Sequence, residues 1–386
     1  MKRSLPLAIA LALAAAQPAS AQSIFASQGL GVPVPAGDAR TRAMGGIGIG
    51  LHGHSPSLIS PAEARDYGFR GIAVSLQSAN NAIDLDGARA DFGANRFPMM
   101  QVIYPAGERS VFTVGYGGFL DQNWAAFADR TEMIGGEEVT VRDLVESKGA
   151  ISQLQLGIAY AVTRDLALGV AGGVYSGGLD RVVTRTFIDE DGPAVDPFTT
   201  AMSWTQRAPY ATVGIRWDVA SLLRVAGSVT WAGMLDGRGK DERSGNFEVD
   251  MPIQVAAGVS GYLSPRLLAA ASARWAGWSA ANADDSPYGN VADTWEMGAG
   301  LEWELLRVGA RTVPVRVGYR YGQFPFRFGD ATPSERVFSF GSGLRLAPGT
   351  AGPRAALDAA IERGSRSGGL SEDFWRFTVS LSVFGQ

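Results

Sequence analysis

The sequence predicts an all-β protein: a transmembrane antiparallel β-barrel of about 14 strands, with an N-terminal hatch folded into its lumen. Three observations carry that prediction. First, the stretch from Asp373 to Phe384 alternates strictly from Trp375 onward. Trp375, Phe377, Val379, Leu381 and Val383 share one face, and Arg376, Thr378, Ser380 and Ser382 share the other. Successive strand side chains point to opposite faces, so this stretch has one apolar wall and one polar wall, and it has the roughly 9–11 residues a tilted strand needs to cross a bilayer. Second, connections between such stretches alternate short and long along the chain. Third, no segment approaches the roughly 20 apolar residues of a spanning helix. A membrane protein with this sequence must therefore be a closed barrel, which pairs all its backbone polar groups.

Taken in order, the chain opens on Lys2 and Arg3, then an apolar run from Leu5 to Ala16, then the small residues Ala19-Ser20-Ala21. This is the pattern of a secretory signal peptide over residues 1–21, cut after Ala21, and it predicts export to a Gram-negative type of cell outer membrane. Residues 22–70 are rich in Gly, Pro, Ala and Ser and lack sustained alternation. They contain Arg40-Thr-Arg-Ala-Met-Gly-Gly-Ile-Gly-Ile-Gly-Leu51 and Ser55-Pro-Ser-Leu-Ile-Ser-Pro-Ala-Glu63. Met44, Ile47, Ile49, Leu51, Leu58 and Ile59 need somewhere to bury, which favours a hatch inside the lumen over a flexible periplasmic extension.

Residues 71–386 read as barrel wall. Candidate strands lie at 71–79, 97–105, 110–120, 151–162, 166–176, 201–219, 222–232, 247–263, 266–277, 293–305, 312–323, 335–346, 353–363 and 373–384. Met297, Leu301, Trp303 and Leu305 oppose Gly298, Gly300, Glu302 and Glu304; Val313, Val315, Val317, Tyr319 and Tyr321 oppose Arg316, Gly318, Arg320 and Gly322. A soluble sandwich has the same local pattern, but the connections separate the two. Short turns fall near 106–109, 163–165, 220–221, 264–265 and 306–311, and long loops at 80–96, 121–150, 177–200, 233–246 and 278–292. Outer-membrane barrels have short periplasmic turns, long extracellular loops and an even strand number. With directions set by the last strand, Trp231, Trp275 and Trp375 fall at outer strand ends and Trp217 and Trp303 at inner ends, as two interfacial belts require.

Catalytic material is sparse, and the expectation is a non-enzyme with no cofactor and no metal. The two histidines, His52 and His54, read as polar hatch residues. Gly45 to Gly50 does not sit in a strand–helix unit, so it is no nucleotide loop, and no Gly-x-Ser-x-Gly elbow appears. There is no cysteine, and the net charge of −4 becomes −6 once Lys2 and Arg3 are removed, which gives no footprint for nucleic acid. Arg216, Glu302, Glu304, Arg316, Arg320, Arg345 and Arg376 project into the lumen by alternation, with Glu302 opposite Arg316. They either line a polar route and hold the hatch, or pair with one another and fill the bore. Phe324, Phe326 and Phe328 fall in an extracellular loop. They either capture an apolar ligand, in which case serine at all three slows uptake while barrel yield stays normal, or pack within the loop.

Ala39-Arg-Thr-Arg-Ala-Met-Gly-Gly-Ile-Gly, then Ser60-Pro-Ala62, then the terminal Phe374-Trp-Arg-Phe-Thr-Val-Ser-Leu-Ser resemble the FadL-like outer-membrane transporters of long-chain fatty acids and aromatic hydrocarbons. The hatch motif is thus Met44, Gly45, Gly46, Ser60, Pro61 and Ala62. Ser60 stands where that family usually has Asn, and His52-Gly-His54 where an acidic pair is common. The resemblance implies a fourteen-stranded barrel with a hatch, and passive uptake: capture at extracellular loops, passage through an apolar pocket above the hatch, and exit through a lateral gap in the wall. Candidates for that pocket are Met44, Ile47, Leu51, Phe69 and Met99. Partners would be outer-membrane lipid, a hydrophobic small-molecule ligand and, through the C-terminal strand, the barrel assembly machinery. The competing reading is a non-transporting structural or assembly barrel that anchors or escorts secreted proteins; an interior packed solid would favour it.

Overall fold

The computed structural model describes residues 23–85, 88–134, 136–188, 196–220, 222–281, 291–308, 311–327, 331–349 and 352–385; the expected signal peptide and Phe328 lie outside them. Fourteen antiparallel strands form the wall. They are β1 (Gly71–Leu85), β2 (Ala88–Ala106), β3 (Ser110–Asp121), β4 (Glu137–Ala161), β5 (Leu166–Ile188), β6 (Phe198–Ala220), β7 (Leu223–Ala232), β8 (Gln254–Ser264), β9 (Leu267–Ala276), β10 (Thr294–Val308), β11 (Arg311–Gln323), β12 (Ser334–Gly349), β13 (Gly352–Ser367) and β14 (Ser371–Phe384). Each pairs with its neighbour in this series, and β14 pairs with β1 from Phe384↔Gly71 upward, which closes the ring. The fold is a closed transmembrane β-barrel.

Alternation has the expected consequence. On β14 the outward residues Trp375 to Val383 are exposed, whereas Phe374, Arg376, Thr378 and Ser380 are buried inside. The exposed outward band of Leu, Val, Phe and Tyr runs along the other strands as well and needs lipid against it. Trp217 and Trp303 face outward near the end with the short turns, and Trp231, Trp295 and Trp375 near the other, which we call the loop end. Trp275 is opposite Trp295 in register.

All fourteen expected strands are present, but much of what reads as loop is also strand. β1 and β2 stay paired as far as Leu85↔Ala88. β4 is 25 residues long, and β5 and β6 are 23 each. A further strand, Trp124–Ile134, pairs with the outer half of β4. The stretch at 247–263 splits into Phe247–Asp250, hairpinned with Met234–Gly239 above the wall, and β8. The reason is environmental. Beyond the membrane both strand faces are wet, so nothing imposes apolar–polar alternation. Charged residues instead form cross-strand pairs, such as Arg142 with both Asp129 oxygens at 2.7 Å and Arg185 with Asp143 at 2.7 and 2.8 Å.

The segment before β1 lies inside the bore. It carries a 3-10 turn (Ile24–Ser27), a two-residue strand (Val32–Pro33), one short helix, α1 (Ala39–Ala43), and a second 3-10 turn (Pro61–Asp66). Asp38 caps α1 by accepting from the Thr41 amide at 2.9 Å, the usual way a short acceptor satisfies a free helix N–H. The segment touches the wall all round. The Ala39 amide donates to Ser380 Oγ of β14 (2.7 Å), Ser339 Oγ of β12 to the Ala43 carbonyl (3.2 Å), the His52 amide to Ser260 Oγ of β8 (3.0 Å), and Gln101 Nε2 of β2 to the Ser57 carbonyl (3.1 Å).

Candidate functional site: the bore and a break in its wall

The wall is not continuous. β2 pairs with β3 only from Ala106↔Ser110 to Met99↔Gly117. At that point β2 carries Pro98, which has no amide to donate, and one extra residue between the Ser75↔Met99 and Gln77↔Arg96 pairs. Beyond this bulge β2 stays with β1, while β3 stays with β4 as far as Asp121↔Ala150. The inner segment fills the gap. Val32 and Pro33 pair with Asp121 and Leu120, and the Val34 amide donates to the Phe119 carbonyl at 2.9 Å. A buried ion pair, Arg96 to Asp121, crosses the break. Gly117 and Gly118 present no side chain here, and Leu58 and Val34 occupy that space.

Directly behind the break is a chamber of about 60 Å³. At the break its lining is apolar, with Pro33, Val34, Phe119 and Leu120; elsewhere it includes Trp278 and Phe324 together with the charged Arg274, Glu296, Arg320 and Glu335. A second void of about 30 Å³ adjoins it along Val34, Leu58, Phe119, Tyr175 and Tyr210. Phe119 stacks on Tyr175 at 4.2 Å and Tyr175 on Tyr210 at 4.3 Å, and the Tyr210 hydroxyl donates to Gln155 Oε1 at 3.2 Å. At the loop end an apolar cluster that includes Leu235, Val249, Met251, Trp278 and Phe326 roofs the space. The two chambers have room for no more than a few water molecules, so among the described residues no wide passage runs past the inner segment here.

The charges of the bore form two clusters, one around Glu302 and one around Glu335 and Glu362, whose carboxylates share Arg320. Glu302 accepts from Arg40 Nε and Nη2, both at 2.8 Å, and from Arg316 Nε at 2.6 Å; Arg316 also reaches Asp358 at 2.6 Å. Arg42 donates to Glu362 at 2.8 Å and to the Pro35 carbonyl at 2.9 Å. Glu335 accepts from Arg320 (3.1 Å), Arg366 (2.9 Å) and Arg376 (2.7 Å). Buried charges persist only when paired and hydrogen-bonded in this way. Each cluster takes in one arginine of the inner segment, Arg40 or Arg42, so charges that pair across the bore also hold that segment.

Toward the turn end lies a larger, polar chamber of about 260 Å³, with Arg40, His54, Phe69, Glu304, Arg316 and Arg345 on its wall. His52 hydrogen-bonds Ser260 through Nδ1 at 2.7 Å, and His54 packs edge-on against Tyr67 at 5.3 Å; burial lowers the pKa of both imidazoles. No group of metal-binding side chains occurs among the described residues. Asp66 pairs with Arg216 and Arg224, tying the second 3-10 turn to β6 and β7. Nearby Glu63 is buried and accepts from the Gly50 amide at 2.9 Å; burial and the Asp66 charge push its carboxyl up to about 7.

The sequence candidates divide. Phe324 lines the small chamber and packs against Phe25 at 6.1 Å; Phe326 sits in the roof, 5.6 Å from Trp278. Phe69 lines the turn-end chamber. Met44 and Leu51 pack with Leu268, Ile47 with Ile49, Ala226 and Ala256, and Met99 with Ala36 and Leu58, so these four seat the segment against the wall. Met44-Gly45-Gly46 works through backbone: Gly45 has φ +62° and lies on the Tyr319 backbone, while Gly298, Gly300 and Gly318 leave room for it. Ser60, Pro61 and Ala62 meet Gly169 and Gly214 in the same way. Glu302, Arg316 and Arg320 are in the two clusters, Arg216 pairs with Asp66 instead, and Glu304 and Arg345 face the turn-end chamber. Sequence reading missed Arg40, Arg42, Glu335, Glu362 and Arg366. Alternation places Glu335 and Glu362 inward. Arg366 lies past the expected end of its strand, and nothing in one dimension aligns Arg40 with Glu302.

No protein-family model and no curated protein sequence matches the chain. Solved structures do. A FadL homologue from Pseudomonas aeruginosa superimposes with a TM-score of 0.61 at 16% identity, covering 92% of this chain and 99% of that one. The toluene transporter TodX of Pseudomonas putida gives 0.56 at 13% identity, over 89% of this chain and 96% of that one. The CymD monoaromatic hydrocarbon channel gives 0.55 at 16% identity, over 92% and 98%. Closed wall, filled bore and structural neighbours agree: the chain has the fold of the FadL-like channels.

Proposed function

We propose that the chain is an outer-membrane channel for passive uptake of hydrophobic small molecules, fatty acids or aromatic hydrocarbons, with residues 22–70 as its hatch. The observation that carries this reading is the break between β2 and β3, backed by a chamber whose near side is apolar. An apolar solute leaving sideways through that break enters lipid directly and avoids the charged side of the bore. The turn end then faces the periplasm and the loop end the outside. The neighbours described as toluene and monoaromatic hydrocarbon channels support the same reading. Because the chambers are small, passage requires Val32–Val34 and the apolar roof to move.

The test is Val34→Cys with Gly118→Cys. A Cβ at 118 lies 3.3 Å from Val34 Cβ, close to the roughly 3.5–4.5 Å of a disulfide, and the chain has no other cysteine. Cells carrying the oxidised pair are expected to lose uptake of labelled fatty acid and toluene and to regain it on reduction. Undiminished uptake with the bridge formed rules out the lateral route. The small chambers favour a second reading, a structural barrel that anchors or escorts secreted proteins. It predicts no uptake by the wild type and loss of surface proteins on deletion.

A further inference from the structure

The outward face of β11–β14 at the loop-end girdle carries two arginines beside exposed aromatic wall. Register sets out two rows. Tyr319, Phe338, Arg363 and Trp375 form the row nearer the membrane centre, and Tyr321, Arg336, Ser365 and Asp373 the row above it. Arg336 and Arg363 are thus diagonal neighbours on adjacent strands, roughly 7–8 Å apart at Cα. Arg363 is braced: its guanidinium lies over Trp375 at 5.4 Å and donates to Asp373 at 2.7 Å. Arg336 is exposed and makes no ion pair among the described residues. Two cations and one carboxylate leave a net positive spot level with Trp375.

Just below the cations the surface turns strongly aromatic, with Phe338 67% exposed. Just above, Ser365, Ser367 and Ser371 are exposed, and β13 and β14 are joined by the short Gly368–Leu370 link. The rim is low here, whereas β4, β5 and β6 rise well beyond the girdle on another part of the ring. Above Arg363 the β13–β14 link is short, which leaves that side of the cation pair open to a lipid headgroup. An unpaired arginine at the membrane boundary is stabilised by a phosphate oxygen, and the guanidinium fork suits phosphate geometry.

We propose that this face, with Arg336 and Arg363 as its cations, binds the phosphorylated headgroup of an outer-leaflet lipid, whose acyl chains lie on Phe338 and Trp375. The proposal rests on the outer-membrane placement given above but not on transport. Its probes are purified bisphosphorylated lipid A, the same lipid without phosphates, and inorganic phosphate, each added to the full chain in nonionic detergent. Binding is read by native mass spectrometry and by thermal stabilisation. Phosphorylated lipid A is expected to bind, and Arg336→Ala with Arg363→Ala to weaken it roughly tenfold. Asp373→Asn is expected to tighten it by releasing Arg363, which a merely structural arginine would not do. All three substitutions lie on the outer face, and an unchanged melting temperature without lipid checks folding. Equal binding of the dephosphorylated lipid, equal binding by the double variant, or saturation by inorganic phosphate alone overturns the proposal. Fractionation of the chain away from the outer membrane overturns both readings, whereas loss of the uptake result alone leaves this one standing.

Discussion

Arg40 of the inner segment and Glu302 of β10 meet in a two-pronged ion pair, with Nε and Nη2 each donating at 2.8 Å to separate carboxylate oxygens. Glu302 also holds Arg316 of β11, so one carboxylate fastens the segment to two strands. Glu302→Gln leaves buried Arg40 without its carboxylate partner, while Arg316 keeps Asp358, at a cost of about 3 kcal/mol or more. The barrel is expected to assemble, with its inner segment loosened. Arg40 and Arg42 are buried in the wild type, so new tryptic cleavage at either residue checks this.

Gly318→Ala tests the backbone seat. A Cβ there would collide with the Met44 carbonyl carbon and the Gly45 nitrogen, neither of which can rotate away. The expected cost is at least about 2 kcal/mol, seen as a lower melting temperature. Ala at exposed Gly68, where a Cβ meets nothing within 4 Å, is the control and is expected to change little.

Glu63 makes seating of the segment pH-dependent. Its carboxyl is raised from 4.5 to about 7, so the folded state holds the proton more tightly than the unfolded one. Stability from this group is therefore greatest below about 4.5, falls as pH rises to about 7, and is flat above. The full penalty is on the order of 3 kcal/mol. Glu63→Gln is expected to flatten that part of the profile, as measured by tryptic sensitivity at pH values on either side of the window.

Phe326→Ala tests whether the aromatic loop captures or closes. Phe326 is buried against Trp278, which places it inside the roof. The substitution is expected to enlarge the chamber and raise leakage of small solutes in liposome swelling, at a stability cost of roughly 3 kcal/mol. A capture residue would instead leave leakage unchanged and slow uptake.

The strands were legible because lipid outside and water or polar side chains inside impose a period of two on every crossing segment. Trp375 to Val383 and Val313 to Tyr321 carry that period openly. The long outer strands were not legible: at Asp129, Arg142, Asp143 and Arg185 both faces are wet, and charge pairing across strands replaces alternation. Glu302 opposite Arg316 was expected from one hairpin, and the pairing is present, although it depends on a bulge between Trp303 and Leu306 that shifts the register by one from its Val308↔Arg311 end.

Sequence by itself determined that this chain forms a lipid-facing barrel of fourteen strands, because the constraint is local: each crossing must solve the same problem alone. Only the tertiary structure decided what the bore contains and where the wall parts. Arg40 reaches Glu302, Arg42 reaches Glu362 and Val32 takes the place of β2 beside Asp121 across 262, 320 and 89 residues of chain. Such contacts depend on how the whole ring closes, and no single stretch encodes the register of a closed ring.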